Sequence, residues 1–460
     1  MMQRFIIVLV CLILGNSFQI FAQAKPDPLK RKAILGIIME EVQDGDVSSV
    51  RITEVIEGGS AGKIGIETGD VLLNINGNHI TQIPNVLEVI NNVRANDQLS
   101  LSILRENIKM DLKGKAAGRP MEISEAGEVV YDSFKTEGHH IRTIWHFPSQ
   151  IKKPPVIFFL QGYICQSTDF GASPQNPTKK LIDDWVKAGY AVYRMEKAGQ
   201  GDSISRKTCM EMDFNEELEL FREGYEYLLS SDKVNTEEVY LFGHSIGATL
   251  APILAKQNTP AGIITYGATG NRWADYMDAI MTKQGIHFGQ SQSEIKENSG
   301  PALAFVDKYL RLQVEVENLL NDDEVVGYLE ENNLNRAFED GTYLMRSHEF
   351  WRTLSNLDIP SIWEEIHAPV YSLHGTLDIQ AINKDEAQSI VDAVNRGSSQ
   401  ATLQLIQGAD HGFVSFETME QNVEVLGIGQ YRIHAVNNYH PGIAIESVKW
   451  MNRQRGRSRL

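Results

Sequence analysis

Three cysteines in 460 residues are too few for a disulfide framework. Cys11 falls in an apolar N-terminal stretch, so only Cys165 and Cys209 remain in the body of the chain. One disulfide and two partly buried thiols are equally open for that pair. C-x-x-C, H-E-x-x-H and acidic calcium-loop patterns are all missing, so the sequence offers no metal site and implies no cofactor. Basic residues are in short supply as well: 43 Lys and Arg face 60 Asp and Glu, a net charge of −17 at pH 7. A chain of that sign repels nucleic acid and anionic lipid surfaces. Beyond the first residues no run is long and apolar enough to span a bilayer, which needs roughly 20 residues.

The beginning reads differently. Arg4 precedes "FIIVLVCLILG", and small residues follow at Ala22-Gln23-Ala24. A basic start, a short apolar stretch and a small-residue cleavage pattern make residues 1–24 a signal peptide, cut after Ala24. The expectation is a secreted or periplasmic protein with no membrane span after cleavage. Removal takes away one cation and no acid, so the remaining chain is one charge more negative than the full sequence.

Residues 33–113 carry short apolar strands, "AILGIIM", "SVRITEVI", "DVLLNING" and "LSLSILREN", separated by glycine-rich turns. One helix-like stretch, "NVLEVINNVR", places Val86, Val89, Ile90 and Val93 on one face. With "GSAGKIGIETGDVLLNINGNHI" the segment resembles a PDZ domain. That resemblance implies that the loop containing Leu35, Gly36 and Ile37 binds a peptide C-terminus, although the loop lacks a second glycine. Successive backbone N–H groups would hold the carboxylate while the peptide adds to the sheet edge.

Residues 114–126, beginning in "KGKAAGRP", read as a linker. From residue 127 to 460 apolar β-runs alternate with helices. "PVIFFLQG", "YAVYRME", "VYLFGHS", "GIITYGA", "PVYSLHG" and "TLQLIQG" are continuous apolar strands, as in a parallel sheet covered on both faces. Between them, "TKKLIDDWVKAG" sets Leu181, Ile182, Trp185 and Val186 in one stripe closed by Gly189. A helix-rich insert spans about 269–367 and reads as a lid over the carboxyl edge of the sheet. Its Trp273, Tyr276, Met277, Met281 and Phe288 suit an apolar acyl group, and equally plain helix packing.

Ligand sites in such sheets lie beyond the carboxyl ends of the strands. Ser245, in Gly243-His244-Ser245-Ile246-Gly247, fits the G-x-S-x-G pattern of a strand-to-helix turn. Asp378 follows "PVYSLHG" and His411 follows "TLQLIQG", so the chain order is Ser, Asp, His on three separate strand ends. With "HGTLD" and "GADHGF", the segment from 127 onward resembles the α/β-hydrolase serine esterases and peptidases. The fold implied is a doubly wound, mostly parallel α/β sheet with a helical lid, preceded by the small β-rich domain.

The chemistry assigns Ser245 as nucleophile, His411 as base and Asp378 as the acid that orients it. Asp410 is the rival acid, but a neighbour of His411 rarely reaches the far ring nitrogen. The resemblance implies the backbone N–H groups of Ile246 and Tyr163 as oxyanion donors, with Gln161 standing where a histidine is usual. His244 reads as packing beside the turn. "KAGQGDS", Lys197–Ser203, lacks the G-K-[ST] ending of a phosphate loop and reads as a loop at the active-site rim. His139, His140, His287, His348 and His440 have no partner spacing, and "RQRGRSRL" reads as a solvated tail. The expected activity is cleavage of small carboxylic esters through an acyl-enzyme. A short-peptide peptidase using the PDZ domain to capture peptide C-termini is the alternative, and an inactive peptide-binding adaptor a third reading.

Overall fold

The structure, a computed structural model, describes residues 29–457 except 45 and 46. The signal-peptide assignment at 1–24 lies outside the described residues. No helix among the described residues is long and apolar enough to cross a membrane.

The N-terminal unit is a six-stranded antiparallel sheet. Its strands are β1 (Ile37–Asp44), β2 (Val47–Val55), β3 (Val71–Ile75), β4 (Asn78–His79), β5 (Gln98–Arg105) and β6 (Ile108–Lys115). They are ordered β1-β2-β3-β5-β6, with β4 beside β3. In β5 the alternation of Leu99, Leu101 and Ile103 with polar neighbours puts all three in the core, as a period of two requires. The helix-like stretch forms Ile83–Asn91, ending before Val93.

The larger unit is a nine-stranded sheet. Its strands are β7 (Gly127–Thr136), β8 (His139–Pro148), β9 (Pro155–Leu160), β10 (Ala191–Met195), β11 (Ile204–Ser205), β12 (Asn235–His244) and β13 (Gly262–Tyr266). A two-stranded hairpin in the insert, β14 (Thr342–Tyr343) and β15 (Arg346–Ser347), precedes β16 (Val370–Gly375) and β17 (Ala401–Ile406). The order is β11-β8-β10-β9-β12-β13-β16-β17, with β7 on β8. From β10 to β17 every neighbour is parallel, and β9, β13 and β16 are buried along their whole length. Their unbroken apolar composition follows from helices on both faces. Leu181, Ile182, Trp185 and Val186 sit on the helix Pro177–Lys187 as a fully buried stripe, and Gly189 takes the left-handed turn after it.

The reading of 114–126 as a plain linker needs correction. Gly114 and Lys115 complete β6, Ala116 and Ala117 are buried, and Gly118 bridges to Ala33. Further on, Glu122 is buried against Arg194 at 2.6 Å and accepts the N–H of Phe170. A buried cation needs a carboxylate partner, and this strap supplies it. The two units are therefore clamped together. Arg31 reaches Asp169 at 2.5 Å and Asp202 at 2.7 Å, the Lys32 N–H donates to Asp202, and Arg142 adds a third contact to the same carboxylate.

Candidate active site

Ser245 occupies the turn between β12 and the helix Gly247–Gln257, with φ of +54°. A non-glycine residue in that region is strained and persists only where surroundings enforce it. The two flanking glycines make the turn sterically feasible. A Cβ on Gly243 would lie 2.5 Å from the Ala248 Cα, and one on Gly247 would overlap the Leu160 carbonyl. The G-x-S-x-G spacing thus records backbone crowding on both sides of the serine.

Asp378 and His411 arrive from the loops after β16 and β17. His411 Nδ1 lies 2.9 Å from Asp378 Oδ2, and the Asp378 side chain is wholly buried. Burial alone would raise the Asp378 carboxyl, but the charge and hydrogen bond of His411, with the Ala381 N–H, hold it below its ordinary value. For His411 burial works downward and is outweighed by the Asp378 charge and hydrogen bond, so its pKa is raised. Gly267 packs directly on the pair: at φ +61°, a Cβ there would lie 2.7 Å from His411 Nδ1 and 2.9 Å from Asp378 Oδ2. Ser245 shares a cavity wall with His411, and no direct hydrogen bond joins the two side chains.

Asp410, the rival acid, is turned away. Its carboxylate accepts the N–H groups of Gly412 and Val414 and the Tyr431 hydroxyl, which shapes the loop that presents His411. Burial raises its pKa to about 6. His244 lies tilted against the His411 ring and bonds to its carbonyl oxygen at 2.9 Å. Burial and the His411 charge bring His244 down to about 3, so it is a neutral packing group. His139, His140, His287, His348 and His440 bond to groups remote from the serine.

The loop Gln161–Tyr163 passes beside the serine, since a Cβ on Gly162 would lie 3.2 Å from Ser245 Cβ. The N–H groups of Ile246 and Tyr163 donate to no protein acceptor among the described residues. Gln161 is buried on the same loop, its amide nitrogen without a protein partner. In the N-terminal unit, Leu35 is buried, Gly36 takes φ +72° and Ile37 opens the edge strand β1. The carbonyls of Leu35 and Gly36 accept the N–H groups of Ala61 and Ile56.

Two cavities meet at Ser245. The first, about 240 Å³, is lined by Trp273, Tyr276, Met277, Met281 and Trp351 among others, and no charged side chain faces it. Phe288, expected with them, is 53% exposed and does not line it; it belongs to a short turn on the outside of the insert. The second cavity, about 690 Å³, lies on the His411 side and includes Gln161, Asn422, Tyr431 and Arg432.

Sequence reasoning missed a buried ionic cluster beside the loop Gln161–Tyr163. Lys197, expected at the rim, is 2% exposed, and its Nζ donates to the Gly162 carbonyl at 2.6 Å. Glu217 lies 2.9 Å from Lys197 as an ionic contact and accepts a hydrogen bond from Arg346 at 2.8 Å. Burial draws the Lys197 ammonium down to about 8, against the pull of Glu217. Cys165, two residues past Tyr163, forms a disulfide with Cys209. No signal in the sequence links residues 197, 217 and 346. Among the described residues no cluster of His, Cys, Asp or Glu could hold a metal ion.

Two family profiles match the chain. A PDZ domain profile matches residues 33–115, so the N-terminal unit is a PDZ domain. No curated protein matches the chain. Among solved structures it is similar to the ferulic acid complex of Est1E from Butyrivibrio proteoclasticus, at 14% identity over 65% of this chain and 99% of that one, TM-score 0.40. It is also similar to an esterase of Pyrococcus furiosus, at 13% identity over 69% and 94%, TM-score 0.39. A hypothetical protein of Pseudomonas aeruginosa is similar at 11% identity over 68% and 96%, TM-score 0.42. The profile described as Serine aminopeptidase, S33, matches residues 175–418, more than half of the chain, and the protein belongs to that family of α/β-hydrolases.

Proposed function

We propose that the protein is a serine hydrolase of carboxylic esters, and that Ser245, His411 and Asp378 are its catalytic residues. The observation that carries the reading is the buried 2.9 Å Asp378–His411 pair, of which His411 lines the cavity that the strained Ser245 turn also lines. On substrate binding Ser245 Oγ attacks the acyl carbon and its proton passes to His411 Nε2. The carbonyl oxygen, now an oxyanion, receives the N–H groups of Ile246 and Tyr163. The tetrahedral adduct collapses, the bond to the alcohol oxygen breaks, and the imidazolium protonates that oxygen. Water repeats the sequence on the acyl-serine and frees the acid. The Ser245–His411 hydrogen bond closes with substrate, since such bonds often tighten only in the complex.

The uncharged 240 Å³ chamber fits an apolar acyl group. An aminopeptidase would need a carboxylate for the substrate ammonium. The chamber offers none, and Asp410 beside the larger cavity is already committed to Gly412, Val414 and Tyr431. This favours esters over short peptides. The PDZ edge strand β1 and the loop at Leu35, Gly36 and Ile37 remain the proposed seat for a peptide C-terminus. The Cys165–Cys209 disulfide supports a secreted or periplasmic setting.

Acyl p-nitrophenyl esters compared with aminoacyl p-nitroanilides test the substrate class, and faster cleavage of the anilides would refute the ester reading. Ser245→Ala should abolish turnover with the fold intact. Retained hydrolysis in that variant would remove the nucleophile assignment.

A further inference from the structure

The oxyanion loop is held from behind by buried charge. The Gly162 carbonyl and the Tyr163 N–H belong to one peptide unit, so fixing the carbonyl oxygen fixes where the N–H points. Lys197 Nζ holds that oxygen at 2.6 Å. The next carbonyl along, that of Tyr163, accepts from Arg346 Nη1 at 2.8 Å. Both cations are buried, Arg346 completely, and Glu217 joins them through its two carboxylate oxygens. Arg346 is delivered from the insert by the hairpin β14–β15, whose tip residues Leu344 and Met345 take φ of +44° and +62°. Leucine in that region is costly, and the Arg346 guanidinium also lies 3.5 Å above the Phe350 ring. The Cys165–Cys209 disulfide anchors the far end of the same loop.

We propose that Lys197 and Arg346, tied together by Glu217, are positioning residues that aim the Tyr163 N–H at the oxyanion. This rests on the serine-hydrolase reading. Neither cation lines the cavities at Ser245; each grips a carbonyl of the loop instead. A lysine on the Gly162 oxygen also polarises that peptide, which makes its N–H a stronger donor to developing negative charge. The arrangement acts only when the oxyanion forms, so its loss should fall on kcat rather than on KM.

The test uses the full chain and p-nitrophenyl esters. Lys197→Met should lower kcat roughly 10- to 100-fold, somewhat less than deleting an oxyanion donor outright, with KM unchanged. The rate at which a fluorophosphonate labels Ser245 should fall by the same factor, because its phosphoryl oxygen occupies the same hole. The acid limb of the kcat/KM profile should stay in place, since the His411–Asp378 pair is untouched, and Lys197→Arg should restore part of the loss. A folded Lys197→Met with unchanged kcat overturns the proposal. So does a loss explained wholly by fewer active molecules on active-site titration. If the single variant does not fold, Lys197→Met/Glu217→Gln removes the pair together, and the same two outcomes apply. A wild-type chain that fluorophosphonate never labels, with Ser245→Ala still active, refutes instead the underlying serine reading.

Discussion

Asp378→Asn keeps the volume of a wholly buried side chain and removes only its charge and one acceptor. In the wild type the carboxylate, 2.9 Å from His411 Nδ1, keeps the proton on that nitrogen and leaves Nε2 free to accept from serine. The asparagine amide group can donate to Nδ1 instead, which stabilises the wrong tautomer. In a serine protease triad the equivalent substitution costs about 10⁴-fold in kcat. That factor is about 5 kcal/mol of transition-state stabilisation. The pH profile carries an independent sign. His411 is raised above its ordinary value because the Asp378 charge and hydrogen bond outweigh burial. Wild-type kcat/KM therefore falls as pH drops through a value above about 6.5, where the imidazole protonates. With asparagine the Asp378 charge is gone, and burial is opposed only by the Asp410 charge, so the acid limb should move to lower pH. Ester hydrolysis from pH 4 to 9 measures both, with circular dichroism to establish the fold. Asp410→Asn is the control. It breaks hydrogen bonds that shape the His411 loop, so it should cost stability by about 1–3 kcal/mol while sparing most turnover. If Asp378→Asn keeps turnover within tenfold, or if Asp410→Asn is the more damaging to kcat, the orienting acid has been misassigned.

Three further outcomes concern the framework of the site. The Cys165–Cys209 bridge closes a loop of sequence separation 44. Loop-closure entropy for that length is worth about 4 kcal/mol, so Cys165→Ala/Cys209→Ala should lose stability of that order in urea titration; a loss below about 1 kcal/mol would refute the entropic account. Arg31→Met takes the ion pair from Asp169 and leaves Asp202 with Arg142, both carboxylates being nearly inaccessible. Unpairing buried carboxylates costs about 3 kcal/mol, and a melting temperature equal to wild type would show that the two units are held by other contacts. The same network predicts that a hydrolase unit cut free of the PDZ domain is less stable than the full chain.

Much of the architecture was legible because its signals are local. Apolar runs such as "PVIFFL" and "GIITY" announce buried parallel strands, and the stripe Leu181, Ile182, Trp185 and Val186 announces a helix. Ser245, Asp378 and His411 could be read because each lies in the loop that follows such a strand, and the carboxyl ends of a parallel sheet lie together. Two glycines around one serine were readable too, since each answers a close backbone approach. The strap at 114–126 was not, because Glu122 has meaning only beside Arg194, 72 positions away in the chain. Phe288 matched its neighbours in type, and only the course of the insert put it outside the chamber.

By itself the sequence determined the two-unit plan, the sheet class and the order of the three candidate residues. These depend on periodicity, on turn chemistry and on the residues placed at strand ends. Tertiary structure alone decided that Cys165 and Cys209 pair, and that Lys197, Glu217 and Arg346 meet beside the loop Gln161–Tyr163. Charge pairing and bridging depend on distances between segments far apart in the chain, and only packing sets those distances.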